Sequence, residues 1–188
     1  MNNILPGDII CLKASWASKL PYWSFWAIVY RGLIAGQKLF IKNPKYLHVG
    51  TVVNMPPTLL TTGNLVPVIE EEYNGPIKDL KALNSSFFNE FDVYRVKWRS
   101  TKDRKRFVEH VENFVGKGYR YGYEKLVTTF LDRVLKQHLA KSNMSFSVDC
   151  SIMPAEILVS MGYFLWPDLN TMDITPSDYP GKDMVKVN

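Results

Sequence analysis

The sequence predicts one α+β domain spanning residues 1–188, with a small antiparallel sheet packed on helices. Three observations carry that expectation. Short apolar or alternating runs between turn residues fill the first hundred positions, and helical periodicity takes over after Ser100. The 188 residues, 46% of them hydrophobic, can bury an ordinary core without any staple.

Taken in order, Pro6, Gly7 and Asp8 form a turn that feeds a first strand, Ile9 to Lys13. A helix near Tyr22 to Phe40 follows. Leu47 to Asn54 reads as a second strand, Pro56, Pro57 and Gly63 mark a loop, and Leu65 to Glu72 reads as a third strand. After the turn residues Asn74, Gly75 and Pro76 the chain reads as irregular until Phe91 to Trp98, which alternates as a fourth strand. Ser100 with Asp103 has the pattern of a helix start, and Phe107, Val108, Val111, Phe114 and Val115 repeat at helical spacing up to Gly116 and Gly118. Tyr123 to Ala140 repeats that pattern through Leu126, Phe130, Val134 and Leu135. A polar stretch, Lys141 to Ser147, then leads into VDCSIMPAEILVSMGY.

Composition excludes several classes of function. A charged fraction of 22% without low-complexity runs is not that of a disordered chain. The net charge of +5 favours anionic partners only weakly, and the densest basic run, Lys102 to Arg106, starts an amphipathic helix and reads as a solvated face, so nucleic acid is not the expected partner. Two cysteines make no disulfide framework, and no CxxC pair suggests zinc; neither metal nor cofactor is expected. The opening MNNILPGDII lacks the basic and apolar regions of a signal peptide, which gives a cytoplasmic expectation. The aromatic-rich stretch Pro21 to Ile41 is the most apolar part of the chain, but Arg31 lies in its middle at a cost of roughly 2.5 to 3.5 kcal/mol on insertion scales. It reads as a buried or interfacial helix and not as a transmembrane span.

The chemistry concentrates in three places. Cys150 follows Asp149 and opens an apolar-periodic stretch containing Ile152, Ala155, Ile157 and Leu158. In the first turn of a helix a cysteine meets unpaired N–H groups and the positive dipole end, which favour thiolate and can stabilise an oxyanion. Pro154 leaves the position of Cys150 in that turn open, and taken alone a buried structural cysteine is the simpler reading. His48, in YLHVGTVV, sits on a strand rigid enough to hold a general base. Within VIEEEY, alternation puts Glu70 and Glu72 on the face of Val66 and Val68, with Glu71 opposite. Spacing alone does not choose which of the three would orient a histidine. His110 and His138 lie on the amphipathic helices and read as structural or exposed, and Cys11 reads as buried and inert.

The order PGDII, YLHVG, VIEEEYNGPIKDL, GKGYRYGY, DCSIMPAEIL and ITPSDYP resembles the permuted branch of the NlpC superfamily, the YiiX-type hydrolases. The resemblance covers most of the chain and implies a circularly permuted papain-like fold. It makes Cys150 the nucleophile, His48 the base and Glu70 the orienting acid, with Tyr119 lining the substrate site. The implied activity is cysteine-dependent hydrolysis or acyl transfer on an amide or ester, in a peptide, a cell-wall peptide or a lipid, with no cofactor. Leu47 stands where the family commonly has serine, and SIMPAE replaces a SELV-like run. The family is also similar to lecithin:retinol acyltransferase-like enzymes, so a lipid acyltransferase, with the aromatic helix on a lipid surface, is a second expectation. A non-enzymatic interaction protein on the same fold is a third.

Overall fold

The structure, a computed structural model, describes residues 4–39, 41–54, 65–72, 75–82, 85–115, 117, 120–121, 131, 135, 147–148 and 150–187. Turn chemistry sets the entry to its sheet. Gly7 adopts φ +89°, which a side chain would disfavour, and Asp8 behind it is fully buried. The Asp8 carboxylate accepts hydrogen bonds from the Leu5 amide at 2.8 Å and from Arg95 Nε and Nη2, each at 2.7 Å. Such a two-pronged, charge-assisted pair satisfies a carboxylate that could not otherwise remain buried.

Strand β1 (Ile9–Lys13) leaves this turn and becomes one of the central strands. Helix α1 (Phe25–Gln37) follows, then β2 (Tyr46–Val52), β3 (Leu65–Glu72), β4 (Gly75–Ala82), α2 (Ser85–Glu90), β5 (Phe91–Val96) and α3 (Thr101–Glu112). The short strands β6 (Arg120–Tyr121) and β7 (Ser147–Val148) pair in parallel, helix α4 spans Ile152–Ser160, and β8 covers Met184–Lys186. The main sheet has six strands in the order β4-β3-β2-β1-β5-β8, all antiparallel. The domain is thus α+β, as the alternating and helical runs predict.

Period-two alternation splits the core into two clusters. Ile9 and Cys11 join Val49, Ile69 and Tyr94 under Phe107, Val108 and Val111 of α3 and Met153, Ala155 and Leu158 of α4. Ile10 and Leu12 join Val66, Val68, Phe91 and Val93, with Tyr30, Leu33 and Ile34 of α1 packed on them. At the start of α3 the Ser100 hydroxyl accepts the Asp103 amide at 3.0 Å, the cap that the sequence pattern predicts.

Several boundaries differ from expectation. Residues 75–82 form a strand, not an irregular stretch, and β8 adds an edge strand beside β5. Helix α1 is shorter at both ends than Tyr22 to Phe40. The helix expected over Tyr123 to Ala140 falls almost wholly outside the described residues. Among the described residues no helix is long and apolar enough to cross a membrane.

Candidate active site

A β-bulge positions the histidine. Leu12 of β1 pairs with His48 while Lys13 pairs with Tyr46, so β2 carries one extra residue, Leu47, at this step. A bulge re-aims the side chain beside it. Tyr46, just before the bulge, is held by its backbone: its N–H donates to Ser177 Oγ at 3.0 Å, and its carbonyl accepts from Ser177 Oγ at 3.0 Å and Gln37 Nε2 at 3.2 Å.

From that position His48 Nε2 lies 3.1 Å from Glu70 Oε2 on the neighbouring strand. Glu70 pairs in register with Gly50, and a Cβ at Gly50 would lie 3.3 Å from Glu70 Cγ and 2.7 Å from Val68 Cγ1. The bare glycine therefore makes the lane in which the glutamate crosses toward the histidine. The other carboxylate oxygen, Oε1, forms an ion pair with Lys81 Nζ of β4, which also lies 3.1 Å from Asp79 Oδ2. Among the described side chains, Glu70 is the glutamate that the fold brings to the ring. The side chains of Glu71 and Glu72 lie outside the described residues.

Cys150 is buried and shares a side-chain hydrogen bond with His48. Because Nε2 faces Glu70, Nδ1 is the ring nitrogen left for the sulfur. The cysteine precedes α4 instead of lying in its first turn: Ser151 is the N-cap and Ile152 the first helical residue. Pro154 explains this displacement. It has no N–H to donate to the Cys150 carbonyl four residues back, so the first carbonyl that can accept in helical register is that of Ser151.

The segment 174–179 braces the neighbours of both Cys150 and His48. Ser151 Oγ donates to the Ile174 carbonyl at 2.8 Å, and Tyr179 OH donates to the Ser151 carbonyl at 2.8 Å. Between these contacts, Ser177 holds Tyr46 as described. The turn is itself fixed by Asp178, whose Oδ2 accepts from Thr175 N at 2.8 Å and Thr175 Oγ1 at 2.7 Å. One hexapeptide thus touches the residue after the cysteine and the strand that carries the histidine.

The electrostatics follow from these contacts. Burial alone disfavours the His48 imidazolium, but the Cys150 thiolate and the Glu70 carboxylate outweigh it, so the ring is held well above its ordinary pKa. Burial likewise opposes the Glu70 carboxylate, and His48 and Lys81 overcome it, lowering its pKa from 4.5 to about 2. Lys81 is itself shifted upward: burial opposes its charge, and Glu70 and Asp79 prevail. The arrangement can hold a thiolate beside an imidazolium and orient the ring through a charged acid.

Lys81, Gly50, Ser177 and Tyr179 are absent from the sequence-based candidates. Gly50, Ser177 and Tyr179 had a signal, since YLHVG and ITPSDYP carry the family resemblance, and Lys81 had none. Tyr119 lies outside the described residues. His110 sits on α3, where its Nε2 accepts from Arg106 Nε at 3.4 Å, and takes no part in the site. Among the described residues no cluster of three or more His, Cys, Asp or Glu could hold a metal ion. Neither a known family model nor a curated protein matches this chain.

Proposed function

We propose that this chain is a cysteine-dependent hydrolase of amide or ester bonds on a permuted papain-like, NlpC-type fold. The observation that carries the reading is the continuous side-chain chain from Cys150 through His48 to Glu70. In this order of the polypeptide the base precedes the nucleophile, which is immaterial to a triad defined by geometry.

The Cys150 thiolate attacks the substrate carbonyl carbon and forms a C–S bond, and the electron pair moves to the carbonyl oxygen. The positive end of α4 adjoins that oxyanion. On collapse, the bond to the leaving amine or alkoxide breaks and the His48 imidazolium protonates it. The remaining thioester is attacked by water, whose proton returns to His48, and the acid product leaves with regeneration of the thiolate. Glu70 accepts a hydrogen bond from Nε2–H throughout, keeping Nδ1 toward the sulfur.

The test is a panel of peptide, cell-wall-peptide and lipid amides and esters, read by turnover and by intact mass. Turnover with an acyl adduct on Cys150, both lost in Cys150→Ala, is the expected result. Turnover that persists in Cys150→Ala, or a wild-type protein that forms no adduct across the panel, would overturn the reading.

A further inference from the structure

Helix α1 has two unlike faces. Ala27 and Gln37 are buried, and Tyr30, Leu33 and Ile34 pack on the core. The exposed positions of the helix, 28, 32 and 35, follow the spacing of one helical stripe and hold Ile28, Gly32 and Ala35, with no polar side chain among them, and Leu39 lies exposed in the turn just past the helix. A surface helix ordinarily turns charged residues outward. Ile28 is 63% exposed and Leu39 69%, and just ahead of the helix Tyr22 is 82% and Trp23 85% exposed. The segment read from sequence as a buried or interfacial helix is thus buried on one side and exposed on the other.

Charge is unevenly spread along the chain that carries this face. Residues 9–69 contain six of the 23 basic residues and none of the 18 acidic ones, which leaves 17 basic against 18 acidic over the rest of the chain. The whole excess of positive charge therefore belongs to the segment that contains α1. Lys38, Lys42 and Lys45 are exposed, and the Arg31 guanidinium lies 3.9 Å from the centroid of the Tyr22 ring.

We propose that the outer face of α1, led by Tyr22 and Trp23, seats on an anionic lipid bilayer. Aromatic and aliphatic side chains beside lysines are the composition of a helix lying in the interface plane, where the rings enter the headgroup layer and the basic groups meet lipid phosphate and carboxylate. The charge argues against a second copy of this chain as the occupant, because two-fold docking would set Arg31, Lys38 and Lys42 near their own equivalents. The proposal is independent of the chemistry assigned to Cys150.

Flotation of the full chain tests it, with vesicles of pure phosphatidylcholine and vesicles containing about a third phosphatidylserine. The wild type should float with the anionic vesicles and at least about tenfold less with the neutral ones. Trp23→Glu and Ile28→Glu should remain unbound while keeping the wild-type melting temperature, and each of Lys38→Glu and Lys42→Glu should weaken binding about fivefold or more. Gly32→Cys in a Cys150→Ala background provides a direct probe, since a Cβ there meets nothing within 4 Å and the reactive native thiol is gone. A polarity-sensitive fluorophore on it should shift to the blue with anionic vesicles. Failure of the wild type to float, or equal flotation of Ile28→Glu, would overturn the proposal. So would a lipid-free dimer that is dissolved by Ile28→Glu, which would make the face a contact between copies.

Discussion

Two buried cysteines lie in the same domain, and their surroundings carry opposite instructions. Cys11, in the middle of β1, pairs in register with Asp92, whose carboxylate accepts from Tyr46 OH at 2.7 Å and lies 2.8 Å from Lys186 Nζ and 3.2 Å from Lys13 Nζ. Burial, then the negative charge of Asp92, pushes the Cys11 thiol well above its ordinary range. Cys150 is also buried but faces an imidazole backed by a carboxylate and a lysine. Depth is common to the two; the neighbour that can become a cation is not. Burial alone is therefore a poor guide to thiol chemistry, and the sign of the nearest ionisable partner decides it.

The widest consequence is a difference in reactivity. In the native protein, iodoacetamide should modify Cys150 about a thousandfold faster than Cys11 at neutral pH, because Cys11 faces the Asp92 carboxylate where Cys150 faces an imidazole. Peptide mass spectrometry of timed samples measures both sites together. Equal rates would erase the contrast.

Next in size is the acid-side stability that Glu70 contributes. Its folded pKa lies below the ordinary value, so the contribution is complete above about pH 4.5 and is lost as pH falls toward about 2. About two and a half units correspond to about 3 kcal/mol. Urea unfolding across that window should show the loss in the wild type and a flatter profile in Glu70→Gln. His48 behaves in the opposite sense: its raised pKa gives stability that is present below about 6.5 and is lost as pH rises through the folded value.

A smaller effect separates the imidazole from its surroundings. His48→Ala should slow alkylation of Cys150 at neutral pH about tenfold, which corresponds to about 1.4 kcal/mol, while His110→Ala leaves it unchanged. Identical rates in the wild type and His48→Ala would dissolve the pair. The smallest effect belongs to Lys81, which acts through Glu70. Lys81→Met should raise the His48 titration midpoint, followed by imidazole nitrogen NMR, because the lysine no longer competes for the Glu70 carboxylate, and Lys81→Arg should stay close to the wild type. A merely structural lysine would lower the melting temperature without moving that midpoint.

Strands β1, β2, β3 and β5 were legible because their apolar residues come in runs that alternation or burial explains. Strand β4 was not. Its sequence GPIKDLKA follows a turn signal and mixes charges with only two large apolar residues, the pattern of an edge strand with one neighbour, β3. Missing β4 meant missing Lys81, because no local feature tells a lysine that it will face a glutamate eleven residues earlier. Cys150, His48 and Glu70 were reachable only as an ordered set resembling a family, since each alone has an ordinary structural explanation. The displacement of Cys150 out of the helical turn was written in Pro154, four residues ahead, and needed only the missing N–H to be followed to its carbonyl. The outer face of α1 was left open between core and interface because periodicity shows that a helix has a buried side but does not show that the other side stays apolar in water.

The hexapeptide 174–179 gives the two reactive groups a common footing. Ser177 grips the strand of the histidine, while Ile174 and Tyr179 grip Ser151 beside the cysteine. Helix α4 and the strand of the histidine are therefore tied through the same six residues, so a displacement of one against the other must break hydrogen bonds at this single footing.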